Sequence, residues 1–484
     1  MSELRLCMLS SEIVPFAKTG GLADVVGALF VELAERGIEV SAFMPLYASV
    51  RAGRFDLEPV AAVQGVAIPI GDAVYEFSLQ SARYPGSERH VYFIDCPTLF
   101  DRPGLYTTDA DEHRRFLLFT LAAVESCERL ALRPQVIHCN DWHTAFLPLL
   151  LKTRYVGRAI AAARTVLTIH NIAYQGIMPG SAAPDLQLGA NFTLLDQGDL
   201  RAGVINSLKT GIKFADVVTT VSPTYAREIC DSPLGMGMQT VLRAHKGGVV
   251  GILNGVDYRE WDPRHDPHLK VHFGPADLSG KQANKRSLLE EGAFTMNPAA
   301  PLLAVVSRLT EQKGFDLLFD VLPDLLRRRE FGFIALGSGE RRYVEFFESL
   351  VAQFPGRAWF KSGYDETLAH RIEAGSDVFL MPSRYEPCGL NQMYSLRYGT
   401  IPVVHRTGGL ADSVRHFDPA TGQGTGCVFN DFDVMGLSWA LSTVLDWYGD
   451  PALWQRLMQN AMAEDFSWSH QVGHYEALFR RLSA

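Results

Sequence analysis

A chain of 484 residues exceeds what one ordinary hydrophobic core accommodates, so two or three domains are expected. With 47% hydrophobic and 20% charged residues it reads as globular, and a formal net charge of −9 argues against a general nucleic-acid or anionic-membrane surface. Seven scattered cysteines without a CxxC pair, no apolar run near membrane-span length, and an opening stretch broken by Arg5 and Glu12 predict a cytoplasmic protein without nucleic-acid or membrane partners.

Residues 4–9 form a short apolar run that reads as a buried strand. Lys18-Thr19-Gly20-Gly21-Leu22-Ala23-Asp24 follows, then helical spacing over 25–36, a stop at Gly37 and a second strand over 39–44. Strand, helix and strand in about forty residues make a parallel βαβ unit. Paired glycines let the backbone turn tightly beside a ligand, and the first amides of a helix favour anions. A lone turn of this kind fits a structural bend with a solvated lysine equally well. The same six residues, threonine to aspartate, return at 407–412, which predicts two similar halves with this turn in matching positions.

The alternation is irregular over 51–96, where hairpin strands or an insertion are expected, and 116–130 reads as a long helix. Short strands are predicted at 136–139, 165–170 and 217–221. After 249–253, Asn254-Gly255 and Trp261-Asp262-Pro263 mark a boundary. Beyond Lys281 the pattern restarts, with strands at 302–306, 332–336, 358–360, 378–381 and 401–404 and helices at 315–328 and 341–354. An amphipathic helix is predicted over 472–482. The fold class is α/β with two doubly wound domains, 1–253 and 254–465, and the terminal segment 466–484 packing back on the first.

Ligands of open parallel sheets bind beyond the carboxyl ends of the strands, where several polar clusters fall. His138-Cys139-Asn140-Asp141-Trp142-His143 offers metal-ligand types, but adjacent strand residues face opposite ways, so no metal is expected. An aromatic face with Asp and Asn suits a sugar better. His170, closing an apolar strand before Asn171 and a glycine-containing loop, is either a satisfied core residue or a functional one. Arg308 and Lys313 on one strand-to-helix loop fit a diphosphate clamp, and equally a solvated pair. Glu386 precedes a helix and either caps it or holds a sugar hydroxyl. No GxGxxG follows the first strand, and GxxxxGK[ST] and GxSxG are absent, which removes support for a nicotinamide dehydrogenase, a P-loop enzyme or an α/β-hydrolase.

Taken jointly, KTGGLADVVGAL (18–29), HCNDWHT (138–144), TIHNIAYQG (168–176), NGVD (254–257), SRLTEQKG (307–314), PSRYEPCGLNQMYSLRYGTIPVV (382–404) and TGGLAD (407–412) resemble, in order and spacing, the bacterial glycogen synthases. That family, shared with plant starch synthases as glycosyltransferase family 5, implies a GT-B fold: two Rossmann-like domains facing a deep interdomain cleft. It implies retaining transfer of glucose from ADP-glucose to the non-reducing end of an α-1,4-glucan such as glycogen, with no cofactor and no metal.

By this resemblance Glu386, His170, Asp141, Arg308 and Lys313 would be catalytic. Lys18, Gly20, Gly21, Asn254, Tyr364, Cys388, Gly389, Leu390, Asn391, Thr407, Gly408 and Gly409 would join Arg308 and Lys313 around the donor. Asp24, Trp142 and Asn171 would line the sugar or acceptor side. Asn391 stands where the family commonly has Thr, and Asn140 where many members have His. Alternatives to be separated are a UDP-glucose-dependent glucan synthase, a pyridoxal-phosphate-dependent α-glucan phosphorylase and a non-catalytic glucan-binding protein of the same fold.

Overall fold

The computed structural model describes residues 4–53 and 55–483; residues 1–3, 54 and 484, at the edges of or within the segments discussed above, lie outside the described residues. The chain divides into one unit of Met1–Ile252 with Trp468–Ala484, and a second of Leu253–Ser467.

In the first unit the Arg5–Leu9 strand pairs in parallel with Glu39–Pro45 on one side and Val136–Asn140 on the other. Arg164–Ile169, Val217–Thr220 and Val249–Gly251 extend the sheet beyond Val136–Asn140, and His90–Asp95 extends it beyond Glu39–Pro45. Numbered along the chain, these parallel strands lie in the order 7-6-5-4-1-2-3. Both faces are covered, which is why the central strands are near-continuous apolar runs: Leu6, Met8, Val136, Ile137, Val166 and Leu167 are all buried. The irregular stretch past residue 51 becomes an antiparallel extension, in which Ala73–Arg83 pairs with His90–Asp95, Glu58–Pro59 and Val66–Ile70.

The helix predicted over 25–36 spans Gly21–Glu35, starting at the second glycine of the turn and burying Leu22, Val25, Val26, Leu29 and Leu33 at helical spacing. The terminal helix is Trp468–Ser483, and its buried Trp468, Val472, Tyr475 and Phe479 form one stripe. Arg36 fixes it to the first helix, with one guanidinium nitrogen 3.1 Å from Glu476 and another donating to the Ser469 carbonyl at 2.6 Å.

The second unit holds a six-stranded, all-parallel sheet. Its order is Ala358–Ser362, Gly332–Gly337, Leu302–Val306, Val378–Met381, Ile401–His405, Cys427–Phe429, which is 3-2-1-4-5-6 along the chain. Leu302, Ala304, Ile334, Leu336, Phe379, Met381 and Val404 build the core on one face. The single helix predicted over 315–328 is divided: short 3₁₀ turns at Glu311–Lys313 and Phe315–Leu317 lead into Leu318–Arg328. Gly314, at φ +70°, separates the turns.

Each order has one switch point, where neighbouring strands send their following chain to opposite faces and open a crevice at their carboxyl ends. It lies between Arg5–Leu9 and Val136–Asn140 in the first unit and between Leu302–Val306 and Val378–Met381 in the second. One expectation is corrected by this topology. The first Thr-Gly-Gly-Leu-Ala-Asp follows strand 1 of its unit, but the second follows Ile401–His405, strand 5. The positional counterpart of the Lys18 turn is the loop after Leu302–Val306, which carries Arg308 and Lys313. Among the described residues no helix is long and apolar enough to cross a membrane.

Candidate active site

At the first unit's switch point, the loop after Arg5–Leu9 is organised by Glu12, a carboxylate that the sequence showed only as an interruption of an apolar stretch. Glu12 is 2% exposed and accepts from the Thr19 hydroxyl at 2.6 Å, from the Thr19 and Gly20 amides, and from the Tyr106 hydroxyl. These bonds set the glycine turn ahead of the helix. Lys18 stays at the rim, its Nζ 2.7 Å from Asp24 Oδ1, so two residues assigned to different substrates are each other's partners.

Asp141 follows the neighbouring Val136–Asn140 strand with φ 55° and ψ −171°, a backbone region that side chains other than glycine rarely adopt. The bend buries its carboxyl, whose Oδ1 accepts the His170 amide at 2.7 Å. Burial is the largest influence on this acid and pushes it up to about 7, against the His170 and Asn171 amides, which pull it down.

His170 ends the Arg164–Ile169 strand next door. Its Nε2 lies 2.9 Å from Asn140 Oδ1, while Asn140 Nδ2 donates to the Leu9 carbonyl at 3.0 Å. The amide is therefore oriented with oxygen toward the ring, Nε2 carries the hydrogen, and Nδ1 is left as the acceptor. Desolvation drives this imidazole down to about 3, so it acts as a neutral group. Trp142 lies under Gly176: a Cβ there would sit 2.3 Å from the indole. Asn171 shapes the same loop by accepting the Ala173 amide at 3.0 Å.

In the second unit the two loops at the switch point are joined directly. Lys313 Nζ is 2.6 Å from Glu386 Oε2, and the Ser383 hydroxyl donates to that oxygen at 2.9 Å. Glu386 is 5% exposed. The Arg384 amide donates to the Gln312 carbonyl at 2.9 Å, and Gly314 packs so closely that an added Cβ would meet the Pro382 carbonyl at 1.9 Å. The exposed Arg308 guanidinium makes no hydrogen bond or ion pair among the described residues.

The Thr407-Gly408-Gly409 turn closes around the Glu386 loop. The Gly409 amide donates to the Glu386 carbonyl at 3.0 Å, and a Cβ on Gly408 would lie 1.9 Å from that oxygen. Thr407 is buried beside it. Asn391 opens the Asn391–Arg397 helix and donates through Nδ2 to the Val306 carbonyl at 3.0 Å, tying the helix start to the end of strand 1. Gly389 takes φ +72° just before it, and Leu390 is the cap residue.

Cys388 is buried, its thiol pushed up to about 12 by desolvation, so it offers packing and backbone rather than a reactive sulfur. The Asn254 amide bonds that thiol, while Asn254 Oδ1 is buried without a hydrogen-bond partner among the described residues. Tyr364 is 74% exposed beside Gly363, which has φ +115°. Thus Arg308, Lys313, Glu386, Asn391 and the 407–409 turn converge in one unit, and Lys18, Asp24, Asp141, Trp142, His170 and Asn171 belong to the other.

Residues 5–244 match the family model described as the starch synthase catalytic domain, and residues 292–461 match glycosyl transferases group 1. The chain is 42% identical over 485 residues to a glycogen synthase of Koribacter versatilis, covering 99% of this chain and 98% of that one. It is 43% identical over 486 residues to a glycogen synthase of Anaeromyxobacter dehalogenans, with 99% of each covered. Among solved structures, the catalytic domain of starch synthase IV from Arabidopsis thaliana bound to ADP and acarbose superposes with TM-score 0.91 at 34% identity over 100% of both chains.

Proposed function

The chain belongs to the glycogen synthase and starch synthase family, with its two-domain GT-B-like architecture, and on that premise we propose that this glucosyltransferase elongates an α-1,4-glucan from ADP-glucose. Support for the donor comes from the relative whose structure holds ADP and acarbose, and from the chemistry of the second unit's switch point. Breaking the glucosyl–phosphate bond leaves positive charge on the sugar and added negative charge on the departing diphosphate. The Arg308 guanidinium, without a hydrogen bond or ion pair among the described residues, and the Lys313 ammonium supply positive charge for that diphosphate at strand 1's end. In this reading their positive charge makes a metal unnecessary for stabilising the leaving diphosphate.

The observation that carries the proposal is the 2.6 Å Lys313–Glu386 pair. Glu386 holds the lysine at the crevice, and its other oxygen is available to a sugar hydroxyl. A carboxylate neutralised by a lysine is a weak nucleophile, so we favour attack by the acceptor on the face from which the diphosphate leaves, with phosphate oxygen taking the acceptor's proton. That route retains the α configuration. In the first unit, neutral His170 presents Nδ1 as an acceptor for a sugar hydroxyl. The orphaned Asn254 Oδ1 is a further acceptor suited to a ligand. All seven cysteines are free, which fits work in the reducing cytoplasm.

The test is ADP release from ADP-glucose on addition of glycogen. The wild-type protein is expected to release ADP in step with glucan growth. Lys313→Ala and the isosteric Glu386→Gln should each lower kcat by about 10²–10³-fold with an unchanged circular dichroism spectrum. Near-normal turnover in either variant removes that residue from the reaction, and no glucan-dependent ADP release in the wild type removes the proposal itself.

A further inference from the structure

The central strand of the first unit carries, toward its amino end and away from the switch point, chemistry that glucosyl transfer does not use. Cys7 on the Arg5–Leu9 strand and Cys127 on the Glu112–Arg129 helix bring their sulfurs to 3.8 Å. This is the one thiol–thiol contact among the described residues. Arg5 pairs with Glu39 and Cys7 with Ser41 in register, so alternation sets these four side chains on the face that the helix covers. Cys139 shares that face through the pairing of Leu9 with Cys139, but its thiol is bonded to Thr144.

Two buried thiols in contact can simply pack, and Cys7 and Cys127 are only 1% and 2% exposed. What sets this pair apart is an entrance. A cavity of about 10 Å³ reaches Cys7 between the exposed residues Glu39 and Arg133, with Arg5, Ser41 and Leu132 also in its wall. Part of that wall is the chain leaving the Cys127 helix, where Ala131 takes φ +53° and the Leu132 amide donates back to the Cys127 carbonyl at 2.9 Å. Such a volume holds about one molecule of the size of water, so only the smallest solutes gain access. Burial pushes the Cys7 thiol well above its ordinary value, which keeps the thiolate scarce and its oxidation slow.

We propose that Cys7 and Cys127 are a peroxide-responsive pair that closes to a disulfide, stapling the central strand to the helix over it. Hydrogen peroxide is the two-electron oxidant and is small enough for the entrance. The Cys7 sulfur attacks one peroxide oxygen and the O–O bond breaks, giving a sulfenic acid and a hydroxide that takes the thiol's proton and leaves as water. The Cys127 sulfur, already in contact, then attacks the Cys7 sulfur; the S–O bond breaks and a second water leaves with the Cys127 proton. Two thiols and one peroxide thus yield one disulfide and two waters. The sulfurs close from 3.8 Å to about 2.05 Å, a short approach that turning of the two side chains can supply.

The experiment is treatment of the reduced full-length protein with hydrogen peroxide, alkylation of the remaining thiols in denaturant, and peptide mapping without reductant. A linked Cys7–Cys127 peptide is expected as the main disulfide, lost again after dithiothreitol. The oxidised protein should melt at least about 2 °C above the reduced one, because the bond closes a long loop of the unfolded chain. In Cys127→Ala the resolving thiol is missing, so Cys7 should instead gain oxygen and end as the sulfinic acid. Four outcomes would overturn the pairing: both thiols alkylated in peroxide-treated wild type, a main disulfide between other cysteines, oxidised protein that melts no higher than reduced, or an unmodified Cys7 in Cys127→Ala.

Discussion

Asp141 and His170 show how a residue's role depends on neighbours that sequence order does not reveal. Both were legible as polar residues at strand ends. The decisive partner, Asn140, stood out in the sequence only as a departure from its family, yet it fixes which nitrogen of His170 bears hydrogen. Glu12 was not legible as a site residue at all, because an acid near a strand end says nothing of the Thr19 and Tyr106 groups that converge on it.

The Asp141 carboxyl, raised to about 7 mainly by burial, has a definite pH consequence. The folded protein keeps this proton until about pH 7, while the unfolded chain loses it near the ordinary aspartate value of about 3.9. Its contribution to stability is therefore full below about pH 4 and is lost as pH rises through 7, by at most about 1.4 kcal/mol per pH unit. Asp141→Asn removes this titration. The urea midpoint of the variant should rise relative to wild type between about pH 5 and pH 8; a difference flat across that range would mean an acid ionised throughout.

At the scale of elements, glycine positions show why the loops hold their places. Gly408 has φ +43° and no room for a Cβ beside the Glu386 carbonyl. Gly408→Ala is expected to cost about 1–3 kcal/mol, through overpacking and an unfavourable backbone region, and to lower kcat by shifting the Glu386 loop. Denaturant titration with the glycogen assay checks both, and wild-type turnover in the variant would show that the turn does not position Glu386. The strands were legible because buried parallel strands are short apolar runs between turns. Helix beginnings were less so. The Gly21–Glu35 helix starts inside its glycine motif, and the stretch after Gly314 opens as 3₁₀ turns before Leu318, local choices set by packing against Pro382 and the neighbouring loop. The repeated six-residue motif also misled about position, since a glycine-rich strand-to-helix turn suits strand 1 in one unit and strand 5 in the other.

At the scale of the whole molecule, each unit gathers candidate site residues at the single switch point of a parallel sheet ordered 3-2-1-4 at its centre. That order could not be read from element succession alone, because strand-helix alternation fixes parallel pairing but not which strands are neighbours. Once it is known, the loops after strands 1 and 4 of each unit are singled out, and they contain Lys18 and Asp141 in one and Lys313 and Glu386 in the other. The identity of the base on the donor is a finer matter than this architecture. It is tested most directly by measuring kcat/KM on glycogen for ADP-glucose and UDP-glucose side by side. Preference for ADP-glucose by at least about tenfold is expected, equivalent to about 1.4 kcal/mol in the transition state; equal or faster use of UDP-glucose would overturn the donor assignment.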